Sequence, residues 1–262
     1  MMAEEVSSGE SARGLTVTII AGAAEDEIRV CLESVKWADE IVVVNSVSKD
    51  RTAEIAHEYT DKVFFKEWEG YGAQKQFALD RATNEWVLSL DSDERVSDAL
   101  RSEIENILTS GSSHDGFYIP RRNYFLGRWI KHCGWYPGYQ LRLFRKSKAK
   151  VNDRRIHEAF VVRGSVGYLA CDIIHHTHPT IRDTLAKVDE YSTLKAQEKV
   201  GLKRVTFLYL IFHPFVAFVH SFFFKQGFRD GVYGLMVSII HAITDAETCM
   251  KIWEMQNSSQ KC

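Results

Sequence analysis

Strand-like and helix-like stretches alternate in strict order from Leu15 to about Ala82, and that order decides the fold class. LTVTIIAG (15–22), EIVVVNS (40–46) and EWVLSL (85–90) are short apolar runs rich in β-branched residues, and KVFF (62–65) is a shorter one. Between them, DEIRVCLESVKW places Ile28, Cys31, Leu32 and Val35 on one helical face, while DRTAEIAHEY and AQKQFALDRA have helical spacing too. Serial strand–helix–strand units require a parallel sheet with right-handed crossovers. EIVVVNS is nearly unbroken in its apolar character, which predicts a strand buried on both faces. Ligands of such sheets bind beyond the carboxyl ends of the strands, so Gly22, Asn45 and Asp91 are expected to line one crevice. No GxGxxG follows the first strand and no GxxxxGK[ST] occurs, which disfavours dinucleotide and P-loop chemistry.

The third long strand ends in DSDE, residues 91–94. Carboxylates crowded at a core edge are costly unless something positive joins them. Asp-x-Asp at a strand end suits a hard divalent cation, Mg²⁺ or Mn²⁺, completed by substrate phosphates. The other reading is a helix start, with Ser97 or Asp98 capping DALRSEIENIL and the acids near its amino end.

Beyond Gly116 the pattern changes to mixed strands, GFYIPRRNYF and YQLRLFRK. Twelve lysines and arginines stand against Asp153 and Glu158 between Arg121 and Arg163, a local excess of +10 in a chain whose net charge is −2. Such a field favours an anionic partner, but no nucleic-acid-binding motif accompanies it. The five cysteines (31, 133, 171, 249 and 262) never fall as CxxC, which suits a reducing compartment. MMAEEVSSGESARG reads as a polar tail rather than a signal peptide. Val205–Phe224 carries no formal charge over twenty residues, and a second uncharged run covers Gly231–Thr244. His213, Pro214 and His220 interrupt the first run, so the expectation is a helical pair lying in one leaflet with flanking cations at the headgroups.

Five stretches in order carry a resemblance: CLESVKWADEIVVVNSVSKDRT, EWEGYGAQKQFALDRATNEWVLSLDSDERVS, GFYIPRRNYFLGRWIKHCGWYPGYQLRLFRK, RRIHE and FFFKQGFRDGVYGL. From about Leu15 to Glu254 the chain resembles family 2 glycosyltransferases, and among them bacterial lipopolysaccharide core β-1,4-glucosyltransferases. The resemblance implies a GT-A fold, α/β and Rossmann-like, with a mostly parallel sheet flanked by helices and a C-terminal apolar helical extension that associates with membrane. It implies a tail (1–14), a nucleotide-sugar-binding half (15–115), an acceptor-binding half (116–200) and the apolar region (201–262).

Roles follow by position. Asp91 would stand near ribose and metal, Asp93 would ligate the cation, and His175 would complete its shell. Asn45 and Ser46 would hold base and ribose, with Glu25 in the loop after the first strand. Gln74 and Lys75 would approach the nucleotide or its diphosphate, and Arg142 would bind diphosphate or acceptor. A carboxylate must take the proton of the attacking hydroxyl, and Glu158 is the candidate, with His157 as orienting partner or second choice. The implied activity is metal-dependent inverting transfer, of glucose from UDP-glucose, to a heptose or similar unit of an anionic lipid-linked glycan. The implied place is the cytoplasmic face of a bacterial inner membrane.

Three stretches depart from the family pattern. Ala24 replaces the asparagine of the first loop. NSVSKD has Asn45, Val47 and Lys49 where Asp, Gly and Thr are usual, and WYPG has Gly138 for Asp. An amide both donates and accepts, whereas a carboxylate only accepts. The alternative these departures raise is a degenerate protein that binds nucleotide-sugar or lipid without turnover.

Overall fold

The computed structural model describes residues 14–46, 49–152, 159–202 and 204–258. Its contacts divide the chain into two units, Met1–Arg121 with Tyr139–His175, and Arg122–Gly138 with His176–Cys262.

Numbered in chain order, the strands and helices up to the first crossing between units are β1 (Leu15–Ala21), α1 (Glu25–Val35), β2 (Glu40–Asn45), α2 (Thr52–His57), β3 (Val63–Phe65), α3 (Tyr71–Arg81), β4 (Trp86–Asp91), β5 (Glu94–Val96), α4 (Asp98–Ser110) and β6 (Gly116–Ile119). β7 (Arg121–Phe125) and β8 (Arg128–Trp129) follow. Next come β9 (Gln140–Arg145), β10 (Ala149–Val151), β11 (Phe160–Val162), β12 (Val166–Tyr168) and β13 (Ile173–His178). The chain ends with α5 (Ile181–Lys199), α6 (Phe207–Val219) and α7 (Gly231–Ser258).

The first unit is built on a seven-stranded sheet in the order β12-β6-β9-β4-β1-β2-β3. β4, β1, β2 and β3 run parallel, as the serial strand–helix order requires, and β9 enters antiparallel beside β4. β1 and β2 are buried throughout. Their alternate side chains feed two cores. Val17, Ile19 and Val43 pack with Ile28, Cys31, Leu32 and Val35 of α1, while Ile20, Val42 and Val44 pack with Ala78 of α3. The predicted face of α1 is therefore the buried one. Ser97 caps α4 by accepting from Leu100 N–H, so the helix-start reading of that stretch holds for Ser97 and leaves the acids at 91–94 outside the cap.

In the second unit, α5 and α6 both pack on α7. α5 buries Thr184, Val188, Ser192 and Ala196, a four-residue repeat on a helix capped by Thr180. The uncharged run does form a helix, and it continues through Pro214 before a last turn of π geometry at His220–Phe224. Pro214 thus sits inside the helix without ending it, and the expected helical character of the run holds. α7 also runs past the second uncharged stretch, because Thr248, Cys249 and Ile252 are buried.

The segment 131–135 is tied down by the start of α7. Asp230 accepts from the backbone N–H of Lys131 (3.1 Å) and His132 (2.8 Å). Trp135 Nε1–H donates to His241 Nε2 at 3.0 Å. Because an indole only donates, Nε2 must accept, and Nδ1–H is left to donate to Ser221 Oγ. Gly227 and Gly234 make the approach possible. A Cβ on Gly234 would stand 1.8 Å from the Gly227 carbonyl oxygen, and one on Gly227 would stand 2.6 Å from Cys133 Sγ. Gly234→Ala is therefore expected to cost about 3 kcal/mol through overpacking. A thermal melt should fall by several degrees, and an unchanged melt would show that the contact relaxes freely.

Candidate active site

β4, β1 and β2 are neighbours, so their carboxyl ends share one edge: Asp91 pairs in register with Ile20, and Ala21 with Asn45. Ser46 N–H donates to the Ala21 carbonyl at 2.9 Å, which closes the ends of β1 and β2 against each other. The following loops are tied as well, since Asp50 accepts from Glu25 N–H (3.3 Å) and Thr52 N–H (3.1 Å). Glu25 in turn accepts from Arg51 N–H at 3.1 Å.

At the tip of β4 the chain makes a tight turn through Ser92 and Asp93 into β5. Glu94 closes this turn by accepting from Asp91 N–H at 3.0 Å, with its own side chain fully buried. Arg142, only 3% exposed, reaches in from β9 and donates to both acids, at 2.6 Å to Asp91 Oδ2 and 2.7 Å to Glu94 Oε1. Lys75 of α3 lies 3.3 Å from Asp91 Oδ1, and Arg121 lies 3.4 Å from Glu94 Oε1. β13 pairs with β5 so that His175 faces Glu94, which brings its Nε2 to 3.4 Å from Asp93 Oδ2. Three acids and three permanent cations thus meet at one strand end, which answers how a core edge carries DSDE.

Burial opposes the charge on Asp91, but Arg142 and then Lys75 outweigh it and hold the carboxyl well below the usual carboxylate range. Burial likewise opposes the charge on Arg142, and Asp91 and Glu94 restore it, so the guanidinium is held more firmly protonated than usual. Arg142 Nε and Gln74 Oε1 are buried with no partner among the described residues.

Several site residues expected from the sequence therefore converge: Lys75, Asp91, Asp93, Arg142 and His175 form one cluster. Asn45 and Ser46 stand two strands away on the same edge, and Glu25 opens α1. Gln74 is next to Lys75, but its amide N–H groups are spent on the carbonyls of Lys66 and Glu67. Glu158 and His157 lie outside the described residues. Two members were not anticipated, Glu94 as the buried partner of Arg142 and Arg121 as its second cation.

Among the described residues no three His, Cys, Asp or Glu side chains are placed to hold a cation by themselves. Both Asp91 oxygens face cations, while Asp93 and His175 bring a carboxylate and an imidazole within 3.4 Å of each other, donor types suited to a divalent cation. Ligands on an octahedral ion with bonds of about 2.1 Å stand roughly 3 Å apart, close to the spacing of this pair. Two protein ligands are enough for magnesium when phosphates and water complete the shell.

The sequence pattern of glycosyl transferase family 2 matches residues 16–167. The chain is 32% identical over 248 residues to the lipopolysaccharide core biosynthesis glycosyltransferase LpsC of Rhizobium meliloti, covering 92% of both chains. It is 29% identical to an uncharacterized glycosyltransferase of Rickettsia typhi, covering 94% of this chain and 89% of that one. Among solved structures, S. aureus TarS 1-349 in complex with UDP-GlcNAc overlays with a TM-score of 0.46 at 16% identity, covering 95% of this chain and 92% of that one.

Proposed function

The chain belongs to glycosyl transferase family 2, and on that premise we propose that it transfers a sugar, glucose from UDP-glucose, to a heptose or similar unit of a lipid-linked lipopolysaccharide core. One observation carries the reading: the Asp91–Arg142–Glu94 cluster, flanked by Lys75 and by the Asp93–His175 pair, at the carboxyl end of a parallel strand.

The chemistry follows from these residues. An acceptor hydroxyl attacks the anomeric carbon, and the bond to the nucleoside diphosphate breaks as its oxygens gain charge. Lys75 and Arg142 present fixed positive charge to the departing diphosphate, which is most effective where donors are preorganised. Asp91 and Glu94 keep Arg142 in place, so the site need not reorganise as the charge moves. A divalent cation held by Asp93 and His175 would act as a Lewis acid for the same leaving group. Asn45, Ser46 and Glu25 stand at the loops expected to receive the nucleoside. Glu158, with His157, is the proposed base for the acceptor proton.

The acceptor is membrane-borne in this reading, and α6 supplies the means of reaching it. Phe207–Phe224 has a mean hydropathy of 1.8 and is 6% buried, with Phe207, Phe212, Phe215 and Phe224 all more than half exposed. Such a face is suited to lie in one leaflet, with Arg204, Lys225 and Arg229 at the headgroups of the cytoplasmic side. Confinement to the surface that holds the acceptor supplies proximity.

The deciding experiment is UDP release by the purified chain in detergent, with UDP-glucose and core-truncated lipopolysaccharide, in Mg²⁺ or Mn²⁺ against EDTA. Release is expected to need both metal and acceptor. A second reading, nucleotide binding without turnover, is favoured by Gly138, where a carboxylate is usual in relatives. It predicts UDP affinity with no acceptor-dependent release from any nucleotide sugar.

A further inference from the structure

Three tyrosines of the first unit, far apart in sequence, meet at the outer end of its sheet. Tyr118 and Tyr168 stack with centroids 5.1 Å apart and planes at 19°, and Tyr139 meets Tyr168 at 5.0 Å and 84°. Despite these contacts Tyr168 is 65% exposed and Tyr139 is 40% exposed. Among the described residues none of the three phenol hydroxyls has a hydrogen-bond partner. A cluster of large rings left in water forgoes the burial that usually stabilises them.

Sheet register places this cluster relative to the reaction site. Leu88 of β4 pairs with Leu143, Leu141 pairs with Tyr118, and Tyr118 pairs with Tyr168. Phe117 and Leu88 both pair with Leu143, so Tyr118, one step further along, stands near the level of Ser89, two residues before Asp91. It is also on the same face. Tyr118 packs against the group that holds Val87, Leu79 and Phe144, and Val87, Ser89 and Asp91 alternate on that side of β4, where Lys75 meets Asp91. Tyr168 lies three strand spacings from β4, about 14 Å across the sheet.

The geometry points to a glycan-binding platform: the Tyr118–Tyr139–Tyr168 surface takes a pyranose ring of the acceptor, one or more units from the hydroxyl that reacts. This rests on the transfer reading above and extends it to the acceptor side. A pyranose presents axial C–H groups on a flat face and hydroxyls at its rim. An exposed aromatic face with phenol O–H groups beside it complements both features. Tyr139 itself belongs to the sequence segment Arg121–Arg163, whose local excess of +10 suits an anionic glycan. The competing use of such an edge, strand pairing with a second copy, is poorly served. β12 is only three residues long, and pairing along it would leave the ring faces uncovered.

The test uses the full chain in detergent with Tyr168→Ala and Tyr168→Trp. Tyr168→Ala is expected to raise KM for core-truncated lipopolysaccharide about ten-fold, with UDP affinity held, and Tyr168→Trp to restore it. Saturation-transfer NMR with delipidated core oligosaccharide reads the contact directly: pyranose C–H signals seen with the wild type should vanish with Tyr168→Ala. Unchanged KM and unchanged signals would overturn the platform. So would a drop in particle mass on Tyr168→Ala, which would mark the edge as an interface between copies. If the wild type turns over no nucleotide sugar, the transfer reading falls, and the NMR comparison still decides whether the tyrosines hold a glycan.

Discussion

Asp93→Ala is expected to lower kcat for sugar transfer by about a hundred-fold or more while leaving the fold intact. Asp93 sits on the turn after β4, a quarter exposed, with a carboxylate oxygen 3.4 Å from His175 Nε2. It is a partly exposed polar side chain on a turn, outside the apolar clusters, so stability should move by about 1 kcal/mol. What the substitution removes is the carboxylate suited to a cation beside the leaving diphosphate, and losing one such electrostatic element costs about 3–4 kcal/mol of barrier. Steady-state kinetics with a parallel melt would check both halves. Full activity in Asp93→Ala would sink the proposed role.

Arg142→Ala should behave in the opposite way, acting first on stability. The guanidinium is nearly inaccessible and donates to two carboxylates at once. Its loss leaves Asp91 with Lys75 at 3.3 Å and Glu94 with Arg121 at 3.4 Å, both weaker contacts. Breaking a buried pair on one side costs about 3 kcal/mol or more, so a melt should fall by roughly 10 °C. Arg142→Lys should recover only part, because an ammonium cannot reproduce the planar fork between two acids. The pH dependence has a definite sign. In the wild type Asp91 is held below its ordinary value, so its contribution is complete above about pH 4 and is lost only as the pH falls through the lower, folded value. The variant gives that contribution up, so the two melts should differ most at neutral pH and converge in strong acid. A constant gap down to acid would mean that packing by the Arg142 stem, not its charge, carries the effect.

The parallel strands and α1 were legible because burial on both faces leaves unbroken apolar runs, and a single buried helix face leaves a 3.6-residue stripe. Asp91 and Asp93 were legible for a positional reason, as acids at the end of such a run. The cations that neutralise Asp91 and Glu94 were not, because Arg142 stands 51 and 48 residues away and nothing local marks it as their partner. β5, β10, β11 and β12 have three residues each, too few for alternation to register. α5 escaped for a different reason: its buried stripe is Thr184, Val188, Ser192 and Ala196, of which one is strongly apolar.

The turn at the end of β4 also behaves as a ruler. Asp91 and Glu94 are both gripped by one side chain, and a backbone N–H of the first is closed by the carboxylate of the second. Ser92 and Asp93 fill the interval between them and set where β5 begins. Adding or removing one residue there would turn every side chain of β5 to its opposite face, sending Glu94 out of the core and misaligning His175 on β13. Variation in this lineage is thus free to alter the side chain at position 92 and the loops elsewhere on this edge, but an insertion or deletion between 91 and 94 would be lethal to the site. Its history should be written in substitutions, never in gaps.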